Sequence, residues 1–243
     1  VSELPAPVTT RRTLLKATAG AGAVLLAGGT ANAAAEERSV NAFTVSRVSL
    51  RQTVYKGRGA VEMTMPSSAY QDPAKEVLTD RDFMAWKDFD FHDGTIDAYV
   101  ASKLAPDAPS YARGFIGISF RIDAEKRFEN IYLRPVNSQV EDQVRRNHSI
   151  QYFAYPDFLF PKLRKEEPEK YESYVDIDVQ EWIHMRIDVR GSQAKLFVNG
   201  APRPSLVVND LKLGPEQRGG VGFWIESGTV GYFSGLRVRR VGR

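Results

Sequence analysis

The richest concentration of residues able to do chemistry lies in two neighbouring stretches, Leu133-Arg134-Pro135-Val136-Asn137 and Arg145-Arg146-Asn147-His148-Ser149-Ile150-Gln151-Tyr152. In extended backbone Arg134 falls out of phase with Ile131 and Leu133, and Gln151 out of phase with Ile150 and Tyr152. Both therefore point away from the apolar face. Planar Arg, Asn and Gln groups hydrogen-bond hydroxyls, and aromatic rings take the apolar side of a sugar ring. The stretches thus nominate Arg134, Asn137, Asn147, Gln151 and Tyr152 as substrate-binding. A second reading pairs Arg134 and Arg146 with Glu129, Glu141 or Asp142 as braces of a long loop, and both readings stand at this level. His148 is the one histidine inside the cluster, where a neutral imidazole can act as general base or as a donor to a sugar. Trp224 joins the candidates because Val221, Phe223 and Ile225 occupy one face of their strand and leave it on the other.

Other chemistries find no footing. The three histidines, His92, His148 and His184, are spaced unlike any zinc motif, and no metal ligand is assigned. His184 reads as sheet surface and His92 as a turn residue. There is no cysteine, which excludes thiol chemistry, disulfides and Cys-based metal sites. Gly219-Gly220-Val221-Gly222 opens no helix, so it is no phosphate loop, and no Gly-x-Ser-x-Gly elbow supports a serine nucleophile. Trp86 and Trp182 read as packing anchors. No cofactor is expected, and nothing indicates a structural Ca2+.

The elements that must position the cluster read as strands. Apolar residues recur with period two, not 3.6, in short runs broken by Gly, Pro, Asn and Asp. Such runs include Ile96/Ala98/Val100, Ile116/Ile118/Phe120/Ile122, Ile131/Leu133, Val175/Ile177/Val179, Ile183/Met185/Ile187/Val189 and Ala194/Leu196/Val198. Asn199-Gly200 after the last of these is a strong hairpin signal, since both turn positions want positive φ. Around ten or more strands with one apolar face each imply two antiparallel sheets packed face to face. Gln139 to Asn147 reads as a loop or single helical turn, and Pro161 to Lys170 as a charged excursion.

Glu181-Trp182 through Val189-Arg190-Gly191, then Ala194-Lys195-Leu196-Phe197-Val198-Asn199-Gly200, form a Trp-led strand, a tight turn and a strand ending in Asn-Gly. With Gly219 to Trp224, Val230 to Val238 and Phe91-His92-Asp93-Gly94-Thr95-Ile96, they resemble the concanavalin A-like (laminin-G-like) jelly rolls over roughly Val77 to Val238. Within that superfamily the chain looks most similar to bacterial secreted domains of the 3-keto-disaccharide hydrolase type. The resemblance implies an all-β sandwich and, if an enzyme, cleavage of an oxidised glycoside with His148, Arg146 and Asp142 as catalytic residues. Asp176-Ile177-Asp178-Val179-Gln180-Glu181 is similar to the Glu-x-Asp-x-x-Glu strand of concanavalin A-like glycanases, whose carboxylates share acid and nucleophile roles. Its first acid is an Asp, and Glu181 sits where these folds place a turn, so the three acids read as solvated.

The start of the chain speaks of location. Arg11-Arg12, followed by the uncharged run Ala17 to Ala35, has the form of a twin-arginine export signal with small-residue cleavage sites at Ala33 or Ala35. The run is too short and too weakly apolar for a membrane span. The expected organisation is a signal peptide over 1–33 and one sandwich domain over 34–243, periplasmic or secreted. The first 33 residues carry three of the 33 basic groups and one of the 30 acids, so the remainder has 30 against 29, a net +1. No basic stripe remains to neutralise nucleic-acid phosphates in number. The partner expected is therefore a carbohydrate or glycoside, with a lectin-like domain as the first reading, a glycoside hydrolase as the alternative and a protein-adhesion module as the third.

Overall fold

A computed structural model describes Val40 and residues 42–241; the Arg11-Arg12 motif and the boundary at residue 33 lie outside them. Strands β1 (Thr44–Ser46), β4 (Met84–Phe91), β13 (Gly219–Ile225), β6 (Ile116–Ile122), β7 (Phe128–Leu133), β8 (Ile150–Tyr155) and β9 (Glu172–Ser173) line up in that order as one antiparallel sheet. The second sheet runs β12 (Leu206–Val208), β11 (Gln193–Val198), β10 (Ile183–Arg190), β5 (Gly94–Leu104), β14 (Thr229–Arg240), β3 (Arg58–Thr64) and β2 (Ser49–Tyr55).

The alternation seen in the sequence sets the register. Ile187 stands opposite Ile96 on one side and Leu196 on the other, and Ile118 stands opposite Ile131 and Phe223; all of them are buried. These residues face one another between the sheets, where the stacked rings of Phe223 and Phe233, 4.3 Å apart, join β13 to β14. In β10 and β11 the other face remains partly open, as expected of an antiparallel sheet with one wet side.

The first sheet departs from that pattern. Strands β6 and β7 are buried along their whole length, and β8 nearly so. Their outward face carries a second apolar layer in which Tyr132, Phe153 and Trp224 lie with ring centroids 4.7–5.8 Å apart. Residues 65–83 cover this layer, with Phe83 fully buried and Trp224 Nε1 donating to the Arg81 carbonyl at 2.7 Å.

Three short helices follow from local signals: α1 (Pro135–Ser138) starts on a proline, α2 (Gln143–Asn147) is capped by Asp142, and α3 (Phe160–Glu166) has Pro161 in its first turn. The last gives helical form to much of the charged excursion from Pro161 to Lys170, because Leu163 buries itself while Arg164 and Lys165 sit favourably in the final turn. Residues 174–179 do not form the expected strand. Val175 N and Ile177 N are instead satisfied by the Oγ atoms of Ser149 and Ser138. Asn199 and Gly200 both take positive φ, but they open a connection spanning 199–205 rather than a two-residue hairpin. The tight turn of the motif is Gly191-Ser192, between β10 and β11.

Candidate functional site

At the end of the first sheet where β7 runs into α1, a cavity of about 240 Å³ opens between the sheet's outward face, α2, α3 and residues 71–80. The central side chains come from β7. Tyr132 stands opposite Gly117 on one side and Gln151 on the other, and Arg134 continues the same outward face. Arg134 is anchored through its backbone, its N–H donating to the Ser149 carbonyl at 2.8 Å.

The Arg134 guanidinium is almost wholly buried, and its charge is answered on several sides. Nη2 donates to the Tyr132 hydroxyl at 2.6 Å and to Gln151 Oε1 at 3.3 Å, and Nη1 to Glu172 Oε1 and the His148 carbonyl, each at 3.3 Å. Glu172 is also gripped by Arg164, whose Nε lies 3.0 Å from Oε2 and whose Nη2 bonds Oε1. Burial pushes the Glu172 carboxyl up, but the Arg164 hydrogen bond and the charges of Arg164 and Arg134 outweigh it and leave the carboxyl below its ordinary value. A buried arginine of this kind is held by charge pairing and by the planar fork of its donors.

From Tyr132 the chain of hydrogen bonds continues inward. Its hydroxyl donates to Asp80 Oδ1 at 3.1 Å, and Asp80 Oδ2 accepts from the Phe160 backbone N–H at 2.7 Å. Burial raises the Asp80 carboxyl to about 7, against the opposing effects of the Phe160 bond and the Arg134 charge. His148 lines the rim with Nε2 3.4 Å from Glu172 Oε2. Burial, aided by the charges of Arg164 and Arg134 and opposed by Glu172, pushes the imidazole below its ordinary value and so favours its neutral form.

Apolar and polar walls face each other. Phe115, Tyr111 and Phe160 supply ring surface; Gln71, Thr79, Asn137, Arg113, Arg145 and Glu226 supply polar groups. Tyr111 donates to the Gln71 carbonyl at 2.6 Å, and Asn137 Nδ2 to the His148 carbonyl at 3.3 Å. Glu226 is held by Arg81, whose Nε donates to Oε2 at 3.2 Å. Planar donors and acceptors beside aromatic surface are the groups that recognise a polyhydroxylated ring.

Of the residues nominated from sequence, Arg134, Asn137 and His148 meet in this cavity. Gln151 is fully buried behind Arg134 and orients it. Tyr152 does not reach the cavity; it faces the inter-sheet core, where its hydroxyl donates to Glu129 Oε2 at 2.5 Å and accepts from Lys212 N. Trp224 is on the outward face as expected, yet it is completely covered and offers no stacking surface. Arg146 points elsewhere, bonding the Tyr174 hydroxyl at 2.7 Å with its guanidinium over that ring. Asn147 is exposed and accepts from Gln143 Nε2, and Asp142 caps α2 by accepting from Val144 N and Arg145 N at 3.0 and 3.2 Å. The proposed bracing of Arg134 by Glu129, Glu141 or Asp142 is replaced by Glu172. Asp176, Asp178 and Glu181 are exposed, and Glu181 pairs with Lys56.

Sequence reasoning passed over Tyr132, although it shares the outward alternation of Arg134, and over Arg145, which the helical turn sends inward while Arg146 faces out. Asp80, Arg113, Phe115, Arg164 and Glu226 arrive from distant segments with no local signal.

Among solved structures the fold is similar to that of a protein of unknown function with a galectin-like fold from Bacillus subtilis, at 12% identity and a TM-score of 0.51, covering 84% of this chain and 91% of that one. The chain folds as a galectin-like jelly roll. Carbohydrate-binding module CBM66 from Bacillus subtilis is also similar, at 12% identity and a TM-score of 0.47 over 80% of this chain and 93% of that one. The cellulose-induced protein Cip1 matches at 15% identity and a TM-score of 0.47, over 84% and 94%. Identities of this size speak to the fold alone. No family model matches the chain, and no curated protein does. No described helix is long and apolar enough to cross a membrane.

Proposed function

We propose that this protein is an exported carbohydrate-binding domain whose ligand sits in the cavity beside Arg134. The observation that carries the reading is the convergence of Arg134, Asn137 and His148 with the rings of Phe115, Tyr111 and Phe160 in one concave site on an otherwise covered sheet face. The volume is below the roughly 300–1,000 Å³ common for drug-sized ligands, which suits a single or terminal sugar unit. The Arg11-Arg12 motif supports export, and changing both to Lys is expected to retain the protein in the cytoplasm. Titration of an oligosaccharide panel tests the ligand assignment: binding that weakens by about 1–3 kcal/mol in Asn137→Ala, at a temperature where the variant is fully folded, supports it. No binding across the panel rejects it.

A second reading, cleavage of a glycoside, has one specific observation in its favour. Asp80, titrating near 7, and neutral His148 both line the cavity, and groups poised near the working pH suit proton transfer. Incubation with ordinary and 3-keto glycosides separates the readings, since turnover abolished by Asp80→Asn promotes the enzyme.

A further inference from the structure

The cavity holds more positive charge than its own carboxylates answer. Glu172 is spent on Arg134 and Arg164, and Glu226 on Arg81. Arg113 and Arg145 line the same cavity, and among the described residues neither has a carboxylate within ion-pair distance. Arg113 Nη1 donates only to the carbonyls of Ser110 and Ala112, at 2.8 and 2.7 Å. Arg145 Nη2 reaches Asn137 Oδ1 at a long 3.4 Å, and its Nε is buried without an acceptor.

Two arginines left unpaired in one half-buried site repel each other and pay for desolvation without a counter-charge. Burial lowers the Arg113 pKa, and the charges of Arg145 and Arg134 lower it further. Such an arrangement is costly for folding and is relieved when an anion enters. A guanidinium presents parallel N–H donors in a plane, matched by the two oxygens of a carboxylate. Asp80, the other acid lining the cavity, is turned to Tyr132 and Phe160 and titrates near neutrality. We infer that the ligand of this cavity is an acidic sugar, a uronate whose carboxylate is received by Arg113 and Arg145 while its ring packs on the aromatic wall. This rests on the carbohydrate reading above and names the class of sugar.

The test compares matched ligands on the intact protein by calorimetric titration: a hexuronate oligosaccharide, its carboxyl-reduced neutral counterpart, and a sulfate-ester sugar. The uronate is expected to bind about tenfold or more tighter than its neutral counterpart, the span of one charge-assisted hydrogen bond. That preference should weaken with added salt. Arg113→Gln and Arg145→Gln should each bring the ratio of uronate to neutral affinity, measured within the variant, close to one, whatever the variant does to the neutral sugar itself. Equal affinity for the uronate and its neutral counterpart overturns the inference and leaves carbohydrate binding standing. Tighter binding of the sulfate ester than of the uronate overturns the carboxylate assignment. Absence of binding to all three overturns this inference together with the proposed function. The wild-type comparison needs no variant, so an unstable substitution does not blunt the test.

Discussion

Tyr132 stands directly across the sheet from Gly117, so closely that a β-carbon on the glycine would lie 2.4 Å from that of the tyrosine. Glycine there is a requirement of approach, not of dihedral freedom. Gly117→Ala must push Tyr132 outward, and with it the hydroxyl that joins Arg134 to Asp80. A loss of about 1–3 kcal/mol in chemical denaturation is expected, as for overpacking elsewhere, together with weakened ligand binding. A variant with native stability and native binding would show that β6 and β7 can shift apart freely.

The Arg134–Glu172 pair is buried on both sides, with the two groups 3.3 Å apart. Glu172→Gln leaves the Arg134 charge with the neutral partners Tyr132 and Gln151, and stability should fall by about 3–5 kcal/mol. Replacing both residues together, Arg134→Met with Glu172→Leu, should recover much of that loss, since the only charge then left without its partner is that of Arg164, which is partly exposed to water. Denaturant midpoints of the three proteins decide it. Equal losses in the single and double variants would mean that packing, not charge, holds this corner.

Asp80 gives the site a signature in pH. Its folded value of about 7 lies above the ordinary 3.8, so the folded chain binds a proton that the unfolded chain has released between those limits. The stability this group contributes is full below about pH 4 and is lost as pH rises through 7, at up to about 1.4 kcal/mol per pH unit. Glu129, also raised to about 7 by burial, adds the same sign. In Asp80→Asn the Glu129 component remains, opposed by His148, whose lowered value adds stability as pH rises, so unfolding free energy should fall less steeply between pH 4 and 7 than in the wild type. The asparagine keeps one acceptor oxygen where the carboxylate has two, so it serves either the Phe160 N–H or the Tyr132 hydroxyl but not both, and the slope is the diagnostic quantity. Identical slopes would assign the titration to Glu129 alone.

The inter-sheet core follows from the alternation in the sequence. Ile118 and Ile187 are fully buried, one in each sheet, and alanine at either should cost about 2–5 kcal/mol. A loss below about 1 kcal/mol at both would place the core elsewhere.

These core positions were legible because period two is a local property: Ile118 and Ile187 announce their face from neighbours two residues away. The outward side of β7 was legible for the same reason, which is how Arg134 was placed. What alternation does not carry is the cover laid over that side. Trp224 occupies the outward face that its spacing implies, but residues 65–83, far away in sequence, bury it. Tyr152 shows the opposite failure: an aromatic beside polar neighbours invited a role in binding, while its phase with Ile150 already assigned it to the core. Helical phase was the remaining blind spot, since a reading of residues 139–147 as a loop or a single helical turn sets no phase and gives no reason to prefer Arg145 over Arg146. Asp80 and Arg164 join the site only through tertiary contacts.

Arg146 and His148 offer the sharpest contrast between what their position in the sequence suggests and what the fold does with them. Arg146 lies over the exposed ring of Tyr174 on the outside of α2, with a hydrogen bond to its hydroxyl. Exposed cation–π contacts of this sort are worth about 0.5–1 kcal/mol, so Arg146→Ala should lower stability by no more than that and leave ligand affinity unchanged. His148 lies two residues on, at the cavity rim, and packs its ring against Glu172 with Nε2 3.4 Å away. Removal of that imidazole opens the rim beside the buried pair, so His148→Ala should reduce affinity by about 1–3 kcal/mol. Titration of the two variants against one sugar settles the comparison. Impaired binding in Arg146→Ala with none in His148→Ala would move the site away from the cavity, to the outer face of α2 where Arg146 lies over Tyr174.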